Sequence, residues 1–437
     1  MARRDAPTSA FAATYDLISF VIRVGDYRDA QVAARQRLFG VRLRRMISRS
    51  IKQQVTTMTK FALRTPALAA TIAFGMATSA FAQQVQVRGA VVQLTVPDTE
   101  SQAAPDSSFA TVKAMALPQA GTAPPTAAES ETQAPNVNFG PMGSSAGATG
   151  SGVQSPVRVA PALTGGARSQ DAQSQEFGTS GQPFNTSRVL TPSTYAFSPT
   201  GWLTFSTPSG GYRCSASLIK PGVVVTAAHC VALFGSNKLY SNWKFAPAYN
   251  NGTAPYGVWG VSGVWLMTSY YNGSDSCAQR GVICSNDLAV LRLTPQNGTY
   301  PGSRTGYYGY AWNGWGLNSA KQSLLTQLGY PAGLDYGVIM QRNDSQSYVS
   351  ASLSNNTIIG TAMNGGSSGG PWINNFGPGG VRNGVPYGSY SAREIVTGVT
   401  SWGYTNPNVL QAGASPFTSN NIVPLVNAAC TNAGNAC

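Results

Sequence analysis

Residues 223–230 read VVVTAAHC, an apolar run that ends in His229 and Cys230. A short run of β-branched residues favours a buried strand. The chain holds one histidine in 437 residues, and this pattern places it just past the predicted strand. Imidazole has an ordinary pKa of about 6.5, so it can accept and return a proton near neutral pH. An isolated histidine is ordinarily a packed or surface residue, but this setting predicts a general base.

The segment GGSSGGP at residues 365–371 places Ser368 between glycines. A serine hydroxyl is a poor nucleophile without a base, and its attack on a carbonyl creates an oxyanion that needs hydrogen-bond donors. Glycines allow the tight backbone turn that can aim N–H groups at that oxyanion. A Gly/Ser-rich loop without function is the competing interpretation. The pattern predicts Ser368 as a nucleophile.

The run SNDLAVLRL at residues 285–293 opens a strongly apolar strand with Asp287. A buried, unpaired carboxylate is very costly, so this aspartate must be solvated, hydrogen-bonded or functional. Few acidic residues follow His229, and Asp287 alone among them has this setting. We therefore predict that Asp287 orients the imidazole.

The order of these residues separates the known kinds of catalytic triad. Gly366-x-Ser368-x-Gly370 also fits the nucleophile elbow of α/β-hydrolases, but that fold needs its histidine after the serine, and none follows Ser368. The subtilisin order needs an acid before the histidine, and the nearest ones, Asp171 and Glu176, lie in a low-complexity stretch. The order histidine, aspartate, serine remains.

Four motifs, TAAHC, NDLAVLRL, GGSSGGP and TSWGY, resemble those of the trypsin/chymotrypsin-like serine peptidases, in that family's order, across residues 187–437. The resemblance implies an all-β fold of two six-stranded antiparallel β-barrels with the active site between them. It implies that Ser368 is the nucleophile, that His229 is first the general base and then the general acid, and that Asp287 holds the histidine tautomer.

The resemblance also implies where a substrate binds. The backbone N–H groups of Gly366 and Ser368 would form the oxyanion hole. The segment that contains Ser401, Trp402 and Gly403 would pair with the substrate backbone as an added strand. Protein or peptide substrates are therefore the expected partners.

Two positions depart from the trypsin pattern. Ala362, six residues before the nucleophile, replaces the acid of trypsin-like members, and with Met363 it predicts a neutral or apolar preference at P1, the residue before the cleaved bond. Ser367 replaces the acid that captures a new N-terminal amine on activation. In this respect the chain resembles the bacterial glutamyl endopeptidases, but it lacks the second histidine with which they select glutamate.

All six cysteines follow residue 213, and an even count in one region predicts a disulfide framework formed in an oxidising compartment. The resemblance implies a bridge behind the histidine, and local pairs are preferred for the other four cysteines. With one histidine and no C-x-x-C motif, no metal or cofactor is expected. The implied pairs are Cys214–Cys230, Cys277–Cys284 and Cys430–Cys437.

Residues 58–82 read MTKFALRTPALAATIAFGMATSAFA and have the three parts of a signal peptide. Lys60 and Arg64 are the positive region, residues 67–77 are the apolar run, and Ala80-Phe81-Ala82 is the small-x-small pattern that signal peptidase reads. A membrane-spanning helix is the competing interpretation, but the run is short for a hydrocarbon core of ~30 Å and no basic cluster follows it. We predict a secreted or periplasmic protein without a stable membrane span, cleaved near Ala82.

The remaining organisation follows from composition. Residues 1–57 are Arg-rich and are interpreted as a start site assigned too far upstream or an extended positive region, with an organelle transit peptide as an alternative. Residues 83–186 are a low-complexity propeptide or spacer, predicted to be disordered because they bury little apolar surface, except that residues 85–96 alternate like a single strand. Residues 187–437 are the peptidase domain, and residues 188–192 are a candidate processing point.

The net charge of +13 is unevenly distributed. Residues 1–65 carry +9, residues 83–187 carry −3, and residues 188–437 carry +7 without any Lys/Arg run. Nucleic-acid binding is therefore not expected, because it needs a clustered basic surface.

These features predict a monomeric, secreted serine endopeptidase that acts through an acyl-enzyme. Two alternatives belong to other classes. One is a peptidase-like binding module without activity, and the other is a surface-tethered structural protein in which residues 83–186 are the working part.

Overall fold

The structure, a computed structural model, describes residues 84–102, 111–121, 138–153, 157–158, 174–177, 183–377 and 392–437. The predictions for residues 1–57 and 58–82 lie outside these ranges. The described part is mostly strands joined by short turns. In chain order the first strands are β1 Gln84–Arg88, β2 Val91–Thr95, β3 Lys113–Ala114, β4 Gln119–Ala120, β5 Gly143–Ser145, β6 Val157–Arg158, β7 Ser174–Phe177 and β8 Pro183–Arg188.

The strands after residue 190 build the body of the protein. They are β9 Thr200–Thr207, β10 Gly210–Lys220, β11 Val223–Thr226, β12 Ser241–Pro247, β13 Thr253–Ala254, β14 Trp259–Met267, β15 Cys277–Gln279, β16 Ile283–Cys284, β17 Ala289–Leu293, β18 Gly309–Trp312, β19 Leu324–Gly329, β20 Gln341–Ser350, β21 Asn356–Gly360, β22 Pro371–Asn374, β23 Ile395–Val399, β24 Trp402–Tyr404 and β25 Gln411–Ala414. The helices are α1 Asp98–Ser101, α2 Thr268–Asn272, α3 Gly302–Thr305 and α4 Ile422–Cys430, with 3-10 turns at Ala228–Cys230, Asp335–Gly337 and Gly434–Ala436.

The first barrel is a closed ring of six antiparallel strands. Its order is β14–β12–β9–β10–β11–β17, and β17 pairs back onto β14. All four residues of β11, sequence VVVT, are buried between β10 and β17. This is the buried strand that the apolar run at residues 223–226 predicts.

The second barrel also has six strands when β23 and β24, which a kink separates, are counted as one strand. Its order is β19–β20–β21–β25–β24 and then β23–β22–β19. Only Thr400 and Ser401 separate β23 from β24 in the chain, so the ring continues across this kink. The fold predicted from the sequence, two six-stranded barrels, is confirmed.

Helix α4 follows the second barrel but packs on β14 and β17 of the first. Its buried side chains are spaced three and four residues apart, as on an amphipathic helix, and the side chain of Asn421 caps its first N–H at 2.6 Å. Within the described ranges, no helix is long and apolar enough to cross a membrane. The buried positions of α4 are Ile422, Leu425, Val426 and Ala429.

The single strand predicted at residues 85–96 is wrong, because these residues form the hairpin β1–β2. Gly89, at φ +59°, makes the turn with Ala90. A two-residue turn preserves the alternation of side chains, so periodicity alone cannot reveal it. Strand β2 also pairs with β14, where Val92 and Leu94 are fully buried.

Other described parts of the low-complexity segment also form strands, so the expected disorder does not hold for them. Strand β3 pairs with β10, β4 with β24, β5 with β18, and β8 with β20. Such pairing uses backbone groups at strand edges and needs little apolar side-chain area. These strands join the two sheets of the barrels, although they begin before residue 187, the predicted start of the peptidase domain.

The candidate processing point at residues 188–192 begins inside this sheet. Arg188 is the last residue of β8, and its Nε donates to Oδ2 of the buried Asp335 at 2.8 Å. The following residue, Val189, is buried and donates its N–H to the carbonyl of Met340. Cleavage here requires that the strand first leave the sheet.

The structure forms the three expected disulfides, Cys214–Cys230, Cys277–Cys284 and Cys430–Cys437. The first ties β10 to the 3-10 turn after β11. The second closes the β15–β16 hairpin, and the third ties the end of α4 to the last residue.

Loop length predicts how much each bridge stabilises the fold. Cys214–Cys230 spans 16 residues and Cys430–Cys437 spans 7. Because a longer closed loop restricts the unfolded chain more, replacing the first pair by alanine should lower the free energy of unfolding by about 3 kcal/mol, and the second by about 2 kcal/mol. Denaturant titration of both double variants measures this, and a larger loss for the terminal pair would contradict it.

Candidate active site

His229 lies in the 3-10 turn Ala228–Cys230, directly after β11. The neighbouring disulfide fixes this turn against β10, and the histidine is 7% exposed. The local sequence explains this placement. The apolar strand ends at Thr226, and the disulfide at Cys230 holds the following turn against β10. The imidazole therefore has a fixed position at the edge of the first barrel.

Asp287 lies in the turn between β16 and β17 and is 1% exposed. His229 Nδ1 donates to Asp287 Oδ2 at 2.8 Å, and the backbone N–H of His229 donates to Oδ1 at 2.9 Å. The hydroxyl of Ser401 also donates to Oδ2. These bonds satisfy the buried carboxylate. Because the carboxylate only accepts, Nδ1 carries the proton and Nε2 of the neutral ring is left as the base.

The loop at residues 365–371 carries Ser368 and contains two glycines with positive φ, Gly366 at +95° and Gly369 at +76°. Ser215 of the first barrel donates its N–H to the Ser368 carbonyl at 2.7 Å and its hydroxyl to the Gly366 carbonyl at 2.9 Å. The N–H of Gly369 donates to the Thr400 carbonyl of the second barrel. Both barrels therefore hold the loop.

A base at His229 Nε2 would accept a hydrogen bond from Ser368 Oγ, but the structure does not make this bond. Both atoms are buried, and neither has a hydrogen-bond partner within the described part of the chain. Catalytic hydrogen bonds are often long or poorly aligned before substrate binds. The two loops nevertheless meet, because Gly369 lies against Thr226 and Ala227, just before the histidine.

Ser367, the residue before the proposed nucleophile, is held by hydrogen bonds to the backbone and not by an ion pair. The hydroxyl of Ser367 donates to the carbonyl of Asn364 at 2.6 Å, and the Ser367 N–H donates to the same carbonyl at 3.1 Å. The loop thus closes on itself. An N-terminal amine is not needed as a partner at this position.

A cavity of about 430 Å³ lies beside this loop, and none of its lining residues is charged. Ala362, Met363 and Gly403, three of the predicted substrate-binding residues, line it. Ser401 and Trp402 do not, because Ser401 holds Asp287 and Trp402 is fully buried, with its Nε1 donating to Asn356. Only three of the five predicted substrate-binding residues thus line this cavity.

Several residues that shape the site have no distinctive signal in the sequence. Ser215 holds the nucleophile loop, and the hydroxyl of Ser415 accepts from the N–H of Asp287 at 3.1 Å. Asp275 accepts two hydrogen bonds from Asn286, the neighbour of Asp287, at 2.8 and 2.9 Å. Burial raises the pKa of Asp275 to about 6. Only their position after folding distinguishes these residues.

Two clusters bring three potential metal ligands together among the described residues. In each, two of the three are cysteines of a disulfide, which have no thiolate to offer. The sets are Cys214, His229 and Cys230, and Asp275, Cys277 and Cys284.

Comparison with known proteins gives a family match. The Trypsin family model matches residues 191–421, more than half of the chain. A curated relative, an extracellular metalloprotease of Bacillus subtilis (strain 168), is 27% identical over 125 residues, which are 28% of this chain and 36% of that protein. This chain therefore spans about a third of that relative's length.

Solved structures of proteases are also similar to the chain. The protease Anisep of Arthrobacter nicotinovorans is 24% identical, with a TM-score of 0.43, and the match covers 53% of this chain and 95% of that one. A Glu endopeptidase in complex with MPD is 20% identical, with a TM-score of 0.42, and the match covers 59% and 99% of the two chains.

Gly369 provides a test of the packing at the nucleophile loop. A Cβ here would lie 2.0 Å from Thr226 Oγ1 and 2.5 Å from the Ser215 carbonyl, on a backbone at φ +76°. Gly369→Ala should therefore lower the free energy of unfolding by at least ~3 kcal/mol, because strain and overpacking add.

Gly298 is the matched control, because its φ is +72° and nothing lies within 4 Å of a Cβ. Gly298→Ala should cost only about 1 kcal/mol, from the strained backbone alone. Denaturant unfolding of both variants measures the difference. Equal losses would show that the two loops are not packed as described.

Proposed function

Because the chain belongs to the trypsin family, we propose that it is a serine endopeptidase that uses Ser368, His229 and Asp287. The buried bond from His229 Nδ1 to Asp287 carries the proposal. It leaves Nε2 as a base, and both Nε2 and Ser368 Oγ are buried without a hydrogen-bond partner among the described residues. A buried polar atom without a partner is costly, and function is a common reason for it.

The proposed reaction begins when Nε2 takes the proton of the Ser368 hydroxyl and Oγ attacks the substrate carbonyl carbon. The N–H of Gly366 stabilises the resulting oxyanion. The imidazolium then gives its proton to the amine nitrogen, the peptide bond breaks, and the acyl group stays on Ser368. Water, activated by the same histidine, releases the acid. Asp287 keeps its charge and stabilises the imidazolium throughout.

The uncharged cavity supports a neutral or apolar preference at P1. A Lys, Arg or Glu side chain placed there would lose water without meeting an opposite charge, which is costly.

The three disulfides support export, because such bridges form and persist in oxidising compartments. We include secretion or periplasmic location, after cleavage near Ala82, in the proposal. Protein or peptide substrates are the proposed partners, and a monomer is the proposed state.

The triad is tested by labelling with a fluorophosphonate and by hydrolysis of casein. Ser368→Ala should abolish both. Asp287→Asn should lower kcat by about 10⁴, because the amide favours the wrong histidine tautomer. Asp344→Asn is the control, since that carboxylate pairs with Arg342 at the partly exposed surface of the second barrel, and it should retain activity. Full activity after His229→Ala would refute the triad, and a folded wild type that is labelled neither at full length nor after processing would favour the silent binding module.

The P1 preference is tested with a peptide library. Cleavage should follow neutral or apolar residues, and Ala362→Asp should shift it toward Lys and Arg, because the new carboxylate would lie at the cavity wall. Wild-type cleavage strictly after Lys, Arg or Glu would contradict the preference.

A further inference from the structure

Residues 111–121, here called the cleft segment, cross from one barrel to the other over the proposed active site. Strand β3 of this segment pairs with β10 of the first barrel, and β4 pairs with β24 of the second. Met115 donates its N–H to the Arg213 carbonyl at 2.8 Å, and Gly403 donates to the Pro118 carbonyl at 3.0 Å. The segment is thus bonded to both walls of the cleft.

The middle of the segment reaches the nucleophile loop. The N–H of Gly366, the proposed oxyanion donor, donates to the carbonyl oxygen of Met115 at 2.8 Å. A peptide carbonyl of the chain itself therefore occupies the donor that a substrate carbonyl would use. Ser368 is fully buried and His229 is 7% exposed.

One apolar side chain anchors the segment. Leu117 is 9% exposed, and its Cδ1 lies close enough to Gly403 that a Cβ there would be 3.2 Å away. It also lines the cavity of about 430 Å³ beside Ala362 and Met363. The side chain of Lys113, by contrast, is exposed.

The direction of the segment is opposite to that of a substrate. In the proposed function, the residues of a substrate that precede the cleaved bond pair with β24, and the P1 side chain enters the cavity that Ala362, Met363 and Gly403 line. The leaving half of that substrate then lies toward β10. The cleft segment pairs with β10 through Lys113–Ala114 and only afterwards with β24 through Gln119–Ala120. It therefore runs the other way.

We propose that the cleft segment is an inhibitor that the chain carries for its own active site, and that its reversed direction protects it from cleavage. This proposal rests on the proposed peptidase function. The Met115–Ala116 amide nitrogen lies on the β24 side of its carbonyl, whereas the nitrogen of a productive substrate lies on the β10 side. The histidine is then not placed to protonate that nitrogen, so the bond stays intact.

The segment holds mainly by backbone hydrogen bonds and leaves two cavities beside it unfilled. One is the cavity of about 430 Å³, and the other, of about 670 Å³, lies toward the first barrel next to Leu233 and Tyr240. Ala114 and Ala116 face both with small side chains. The covalent link strengthens this inhibition, because it gives the segment a high effective concentration.

The first experiment follows fluorophosphonate labelling of the full-length band on a gel, so that processed molecules do not contribute. Leu117→Asp places a charge against the apolar wall, and the loss of its burial should speed labelling about tenfold or more over wild type. Lys113→Asp is the matched control, because it introduces the same charge at an exposed side chain of the same segment, and it should label like wild type.

The second experiment adds a synthetic peptide of residues 111–121 to the Leu117→Asp chain. The wild-type peptide should slow labelling again, the same peptide with the aspartate should not, and mass spectrometry should find the Met115–Ala116 bond intact. Equal labelling of wild type and Leu117→Asp, or cutting of the peptide at that bond, overturns the proposal. If neither full-length nor processed protein is labelled, the peptidase function itself has failed, and this inference fails with it.

Discussion

The site depends on one buried carboxylate shared by the two barrels. Asp287 belongs to the first barrel, yet its oxygens accept hydrogen bonds from His229 of the same barrel and from Ser401 at the kink of the second. A buried charge is tolerated only when hydrogen bonds surround it. The two barrels must therefore meet in one relative position for Asp287 to be satisfied, and this same position brings the kink between β23 and β24 beside the histidine.

The nucleophile loop is bound to the same junction from the other side. Ser215 in β10 bonds to the carbonyls of Ser368 and Gly366, and Thr400 at the kink bonds to Gly369 and Gly370. The positive φ angles of the loop glycines turn the Gly366 N–H toward the cleft, as its bond to Met115 shows. Ser215 and Thr400 thus fix the loop in a way that a flexible Gly/Ser stretch alone could not achieve.

The sequence predicted the parts of the molecule whose signal is local. The buried strand before His229, the acid that opens the apolar strand at Asp287 and the order of the motifs predicted the triad residues, and the resemblance that these motifs carry implied the two barrels. Ser215 and Ser415 were missed because their hydrogen bonds to the site join residues that are more than a hundred positions apart in the chain. The turn at Gly89 was missed because a two-residue turn leaves the alternation of side chains unchanged.

The cleft segment was missed for a related physical reason. Two barrels that meet face to face leave unpaired backbone groups on β10 and β24 at the cleft, and any extended chain can pair with them. Such pairing uses the C=O group that every residue has and the N–H group that only proline lacks, so small residues such as Ala114 and Ala116 suffice. Composition therefore does not mark them. Residues 114–120 carry no charge, so the segment meets the same side-chain preference as a substrate. Direction is the remaining property that distinguishes a bound inhibitor from a substrate, because reversing the chain keeps the strand pairing but moves the leaving nitrogen to the wrong side of the carbonyl.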